Sequence, residues 1–469
     1  MSSPNLNDIE TGTFDDSEGF QHLKHQISFW QAFVFWLKLG FISFGGPAGQ
    51  IAIMHQELVE KRCWISEKRF LHALNFCMVL PGPEAQQLAI YLGWLMHKTR
   101  GGLLAGLLFI LPSFFLLIAL SALYVTFGQL YWAQAALLGI KPAVTAIVLQ
   151  AAWRIGSKTL KTPVLAVVAL FSFGAVRIFD LGFPLIVLLS ALLGWWLGRY
   201  YPQSVEITST HNSTNFHSQK AIIDDETPTP AHAIFKTSSF IRVALIGGLF
   251  WLIPIALLYA KWGLEHPLSQ MAWFFTKAAL LTFGGAYAVL PYVYHAAVGE
   301  FGWLNAAQMM DGLALGETTP GPLIMIVTYV GFIGGYIKAF WGVDHVMMSA
   351  IMAALCVTYF TFLPSFIFIF LGGPIIEGAR AQVRFNHILA TITASVVGVI
   401  VNLGLFFAFQ VLWTQELIFN DLSSWFTAVD IKATCIFALA LLSLLKLKRS
   451  VIEVIVVSIF LGELTQLIF

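Results

Sequence analysis

Two apolar runs in this chain break at the same three residues. Phe44-Gly45-Gly46 ends the run "FWQAFVFWLKLGFIS", and Phe283-Gly284-Gly285 ends a second run 239 residues later. Gly costs about 1 kcal/mol against Ala inside a helix, and Pro about 3 kcal/mol. These triplets therefore interrupt helices rather than continue them. At the same offset Trp64 recurs as Trp303 and Pro81-Gly82-Pro83 as Pro320-Gly321-Pro322. Ser43 matches Thr282 and Lys38 matches Lys277. Ser66 matches Asn305, and both are good helix N-caps. "LPSF" at Leu111 returns at Leu363 after a modest insertion. One ungapped offset through so many anchors marks a tandem repeat.

Each repeat has to fold in lipid. Hydrophobic residues make up 58% of the chain and charged residues 11%, with a mean hydropathy of +0.78. A soluble domain carries roughly 25% charged residues. The expected class is an all-α polytopic membrane protein. The net charge of +1 implies no acidic or basic bulk partner, and no nucleic acid. Cys63, Cys77, Cys356 and Cys435 form no C-x-x-C pair, so neither a metal knuckle nor a redox motif is indicated. No cofactor and no metal are expected.

A crossing helix needs about 20 mostly apolar residues. Candidate spans are 28–46, 71–97, 102–126, 131–153, 162–178 and 183–199, then 240–260. After these come 268–290, 307–337, 347–371, 388–411, 432–448 and 451–468. The pattern is six, one and six, or about 13 transmembrane segments. Residues 1–27 read as a polar tail, without the basic start and apolar core of a signal peptide. The domains expected are a first repeat over 28–199, a polar cytoplasmic linker over 200–239, a connecting helix over 240–260 and a second repeat over 261–469. With the N-terminus in the cytoplasm, inside loops hold fourteen Lys and Arg against eight outside. Four of those eight cluster in 55–70, so 48–70 is not a simple outside loop. That mixed-charge segment reads first as a solvated helical face, with its basic residues as an anion attractor the alternative. The sequon at Asn212 is inert on the cytoplasmic side. His211, His217 and His232 lack ligand spacing. The first copy starts at span one and the second at span eight. An odd number of crossings separates them, so the repeats are expected in inverted topology.

Broken helices at membrane depth free backbone N–H and C=O groups, which must be satisfied by protein or a water-lined cavity. Helix N-termini supply N–H donors and partial positive charge, which suits an anion. The alternative, close helix packing through Gly, explains one break better than two duplicated breaks. At these residues the chain resembles the chromate transporter family. The matching text is "FGGPAGQIAIMHQELVEKRCWIS" and "LPGPEAQQLAIYLGW" in the first half, with "FGGAYAVLPYV", "GWLNAAQMMDGLALGETTPGPLIM" and "YVGFIGG" in the second. The resemblance spans 28–468 and looks like the long two-domain form. It implies export of chromate from the bacterial cytoplasm across the inner membrane, driven by the membrane potential or proton gradient, and chromate resistance. Sulfate, the same shape and charge, is the alternative substrate. The partners implied are the oxyanion, the lipid bilayer and, as an open option, a second copy of the chain.

A dianion in a bilayer needs cationic or dipolar partners. Lys38, Lys141 and Lys277 sit well inside expected spans, and intramembrane charges are functional by default. Lys38 and Lys277 are repeat-equivalent and are expected as ligands or gates; snorkelling to the interface is the alternative. The expected binding set adds Ser43, Gly45, Gly46, Pro81, Gly82, Pro83, Gln86, Thr282, Gly284, Gly285, Thr318, Thr319, Pro320, Gly321 and Pro322, with Gln87 and Asn75 as further donors. Glu84 and Glu317 flank the Pro-Gly-Pro breaks without being repeat-equivalent. They are expected to couple a proton or pair a charge, although Glu84 also suits a helix first turn. An outward dianion gains about 2.3 kcal/mol per charge per 100 mV, roughly 4.6 kcal/mol in all. No phosphate-binding G-x-x-x-x-G-K-[ST] is present. Neither H-E-x-x-H nor G-x-S-x-G occurs, so an enzyme is not expected.

Overall fold

The computed structural model describes residues 27–44, 46–128, 130–179, 181–201, 221–224, 227, 230, 232–283, 285–378, 386–413 and 429–468. The tail 1–26, most of the linker, Gly45 and Gly284 lie outside the described residues.

Both copies build the same run of elements. In the first, α1 (Phe29–Ile42) stops at the Phe-Gly-Gly triplet and α2 (Gly46–His55) runs into a π-turn (Gln56–Lys61). Then come α3 (Glu67–Val79), the Pro-Gly-Pro break and α4 (Glu84–Phe127). In the second copy α9 (Pro267–Leu281), α10 (Ala286–Tyr294), a π-turn (His295–Glu300) and α11 (Ala306–Thr318) repeat this order. A short 3-10 turn then leads into α12 (Ile326–Lys338) and α13 (Val346–Gly378). The π-turns and the bounds of α3 and α11 match residue for residue at the 239 offset. The backbone repeats itself just as closely. Positive φ recurs at Gly46 and Gly285, at Cys63 and Gly302, and at Gly82 and Gly321. Caps follow the sequence: Ser66 accepts the Arg69 N–H and Asn305 that of Gln308.

Expected spans 71–97 and 307–337 are each two helices folded about Pro-Gly-Pro. The Phe76 and Tyr91 rings lie 5.7 Å apart across the first hairpin. In the second, a Cβ on Gly312 would meet the Tyr329 ring at 2.3 Å. The physical reason is the break itself: Pro removes a donor and Gly82 and Gly321 take φ of 128° and 102°. α4 then folds again at His97 and Lys98. Its limbs pack so closely that a Cβ on Gly101 would sit 2.2 Å from the Gly93 carbonyl oxygen.

The remaining helices are α5 (Tyr131–Thr159), α6 (Pro163–Phe179), α7 (Phe183–Tyr200), α8 (Thr237–Trp262) and α14 (Asn386–Leu412), then α15 (Ile431–Leu445) and α16 (Val451–Ile468). α5 packs against α15 and α16, α14 packs against α6 and α7, and α5 and α14 join the two groups. Six helices among the described residues are long and apolar enough to cross a membrane: α4, α5, α7, α8, α13 and α14. α8 buries only 6% of its most apolar window, as suits a peripheral connector. The protein is an all-α polytopic membrane protein.

Candidate functional site

The breaks of the two repeats close on each other. The Gly82 N–H donates to the Thr282 carbonyl at 2.7 Å, and the Gly321 N–H donates to the Ser43 carbonyl at 2.8 Å. Ser43 and Thr282 are repeat-equivalent, as are Gly82 and Gly321. Each hairpin tip therefore satisfies a carbonyl that the end of α1 or α9 leaves free. The Phe-Gly-Gly triplets adjoin too: a Cβ on Gly285 would lie 3.9 Å from the Pro47 ring.

Around this crossing the interior is polar and incompletely bonded. Ser113 and Ser365, the serines of the two "LPSF" segments, are fully buried. A Cβ on Gly82 would meet Ser365 Oγ at 2.8 Å, and one on Gly321 would meet Ser113 Oγ at 3.2 Å. Each serine thus faces the hairpin tip of the other repeat. Neither hydroxyl has a hydrogen-bond partner within the protein, and nor does either amide atom of buried Gln86. Gln87 donates to the Pro81 carbonyl at 2.7 Å, and Gln50 donates to the Gly321 carbonyl. Buried polar groups left unbonded are uncommon and mark a place that a ligand or water completes.

The positive charge comes from Arg154. Its Nη2 lies 3.8 Å from where a Cβ on Gly46 would be, at the start of α2. The same guanidinium is within electrostatic reach of Glu317, which accepts a hydrogen bond from the Tyr287 hydroxyl. Arg154 lies one residue beyond the expected span 131–153 and so counts among the inside-loop basic residues. α5 runs on to Thr159 and carries Arg154 as a half-buried residue.

The other expected residues divide clearly. Gly82, Pro83, Gln86, Thr319, Pro320, Gly321 and Pro322 are buried at the crossing, with Pro81 half-buried beside them. Ser43 donates to the Leu39 carbonyl at 2.6 Å and Thr282 to the Ala278 carbonyl at 2.7 Å. Thr318 and Thr319 likewise bond to carbonyls of α11, so these four hydroxyl protons are already engaged. Glu84 sits in the first turn of α4. Lys38 and Asn75 are exposed, and half-buried Lys277 places its ammonium 5.8 Å above the Trp273 ring. Lys141 lies 3.9 Å from Asp311, in a separate cluster. Several of the 55–70 charges pair within the segment, as Lys61 does with Glu57 at 2.7 Å, while Arg69 reaches out to Glu377. Among the described residues no His, Cys, Asp and Glu group could hold a metal ion.

A duplicated set of broken helices, meeting over unbonded polar groups inside a polytopic α-bundle, is the architecture of a membrane transporter. A chromate transporter family model matches residues 30–195 and again 269–463, one match per repeat. The chain belongs to the chromate transporter family. It is 34% identical over 381 residues to a chromate transport protein of Pseudomonas aeruginosa, covering 80% of each chain. It is 29% identical to a probable chromate transport protein of Synechococcus elongatus, over 83% of this chain and 88% of that one. A chromate transport protein of Cupriavidus metallidurans is 28% identical over 79% of this chain and 80% of its own. No solved structure matches the chain.

Proposed function

We propose that this protein is a secondary transporter that exports chromate from the cytoplasm across the bacterial inner membrane and so confers resistance. The observation that carries the reading is the reciprocal crossing of the two breaks, with Ser113, Ser365 and Gln86 buried and unbonded around it. The anion would bind there. Three neutral donors and the Arg154 guanidinium suit a tetrahedral dianion better than four lysines would, because neutral donors bind without trapping it. Glu317 holds the Arg154 charge until the anion displaces it. Glu84 biases the first turn of α4, and Lys38 and Lys277 act on the anion's approach.

The repeats are read as inverted and the N-terminus as cytoplasmic. The exchanged hydrogen bonds and the Lys and Arg bias support this. Export needs no nucleotide, since an outward dianion gains about 4.6 kcal/mol at 100 mV. Sulfate is the second reading, favoured by its identical charge and shape.

The test is uptake of radiolabelled chromate into inverted membrane vesicles, with and without an uncoupler, and with sulfate as competitor. Energised, saturable uptake is expected. Arg154→Gln should raise KM at least tenfold, about 1.4 kcal/mol of binding. Ser113→Ala with Ser365→Ala should do the same. Unchanged uptake in all of these variants would remove the site while leaving the exporter standing. No uptake above empty vesicles would end the chromate reading.

A further inference from the structure

A second charged cluster lies apart from the crossing, between α4, α5, α11 and α12. We propose that Asp311 and Lys141 form a proton-linked anion site at one end of the molecule, where Asp311 takes up a proton as a tetrahedral oxyanion binds Lys141. This rests on the oxyanion-transport reading and adds a proton-linked binding step to it.

The Asp311 side chain is 3% exposed and the Lys141 side chain 30%. Their separation of 3.9 Å is beyond hydrogen-bond range, so the pair shares charge without sharing a proton. Tyr124 donates to Asp311 Oδ2 at 2.9 Å, while Oδ1 has no hydrogen-bond partner. The hydroxyl of buried Tyr329 faces that of Tyr124, the two rings lying 5.7 Å apart. A carboxylate this deep, with one oxygen unbonded, is poorly satisfied in its charged form.

The surroundings supply a path to Lys141 and little competing charge. A pocket of about 270 Å³ opens onto Lys141, lined also by Leu138, Met310, Trp413 and Asp430. At roughly 30 Å³ per water it has room for a hydrated ion. Asp430 is committed to capping α15, accepting the Ala433 N–H at 3.0 Å. The titratable groups turned toward Asp311 are Lys141 from α5, Tyr124 from α4 and Tyr329 from α12. α16 also packs on α11, but its Glu463 is exposed.

With Asp311 ionised the pair is neutral, and an arriving dianion meets a carboxylate. With Asp311 protonated the Lys141 charge is free, and the new Oδ1–H is a further donor. Proton and anion therefore favour one another's binding, and the coupling is reciprocal. The proton comes from water through the pocket and returns there when the anion leaves, and no other bond changes. The repeat-equivalent of Asp311 is His72, which is exposed, so the device exists at one end only.

The test uses the full-length protein in nanodiscs, with labelled sulfate and chromate as probes at about pH 8, where both are dianions. In weak buffer, wild type should take up protons as anion binds, rising to about one per protein molecule at saturation. Its affinity should fall as pH rises, by at most about tenfold per pH unit for one linked proton. Asp311→Asn should abolish proton uptake and flatten the pH profile, and Lys141→Gln should weaken binding about tenfold. Variants and wild type are compared at equal pH, so titration of the anion itself cancels. Anion binding by wild type without proton uptake overturns the proposal while leaving the transporter standing, and it needs no variant to fold. An unchanged pH slope in Asp311→Asn also overturns it. No binding of either anion overturns the transport reading and the proposal together.

Discussion

The two ends of the molecule place similar elements around opposite arrangements of charge. At one end Arg69 on α3 pairs with Glu377 on α13 at 3.2 Å, and the Tyr91 hydroxyl donates to the same carboxylate at 2.5 Å. Both charged side chains are nearly buried, at 12% and 8% exposed. Linker residues close this end. Arg69 also donates to the Asp224 and Thr227 carbonyls, Ile223 bridges to Ile65, and His232 bonds the Trp94 carbonyl. At the other end the acid stands on α11, the repeat-equivalent of α3. The tyrosine bonded to it comes from α4, and the cation lies beyond hydrogen-bond range under an open pocket. A closed, fully bonded pair is a structural tie. A loose, half-bonded pair is one that can change its proton. The difference teaches that a duplicated frame can serve two purposes once its charges are no longer duplicated.

The largest expected effect lies at the closed end. Glu377→Gln leaves Arg69 buried without its counter-charge and should cost about 3–5 kcal/mol, read as a lowered unfolding midpoint in detergent. Lys141→Gln should cost distinctly less, because Asp311, unlike Arg69, can shed its charge by taking up a proton, and equal losses would break the comparison. Next come the hairpin tips. Gly82→Ala and Gly321→Ala place a side chain at strongly positive φ, which costs about 1–3 kcal/mol, and the new Cβ would press on Ser365 or Ser113. Both should lower transport several-fold more than stability alone explains, measured as uptake per folded protein. A smaller effect concerns pH. Burial pushes the His232 imidazole below its usual 6.5. The docked linker thus favours the neutral ring, and its stability is fully present above about pH 6.5 and lost as pH falls through the lower, docked value. Amide protection at residues 222–224 and 232–236, taken relative to the intrinsic exchange rate at each pH, should fall on acidification, and unchanged protection would remove His232 as a tie. The smallest effect is expected from Lys38→Ala and Lys277→Ala, a change in KM of about threefold. The Lys277–Trp273 contact is worth only about 0.5–1 kcal/mol at an exposed site.

The sequence made the duplication legible because breaks must be written in Gly and Pro. The positions of both Phe-Gly-Gly and both Pro-Gly-Pro tips, and the Ser66 and Asn305 caps, could be read directly. Apolar length was less informative. It counts a hairpin over 71–97 as one crossing, since folding about Pro-Gly-Pro leaves hydropathy unchanged. The fold at His97 and Lys98 carries no Gly or Pro of its own, and only the Gly93 and Gly101 packing accommodates it. Arg154 was hidden by a boundary, because polar residues at a span's end look like the start of a loop. Ser113 and Ser365 were visible only as a repeated "LPSF", whose partners lie on the other repeat. Lys141 stood out as an intramembrane charge, but its partner is 170 residues away on a helix with no period to betray it.

The crossed hydrogen bonds bear on how such a chain could arise. A lone repeat would carry a hairpin tip with a free N–H and a helix end with a free carbonyl, neither able to reach the other. Only a second copy, related by the same exchange, offers the complementary pair. A single-repeat ancestor would therefore assemble by mass action, and its folded fraction would depend on how much of it the membrane held. Joining the copies through α8 replaces that dependence with a fixed effective concentration. The two halves are then free to diverge, which is how α11 can carry Asp311 where α3 carries His72.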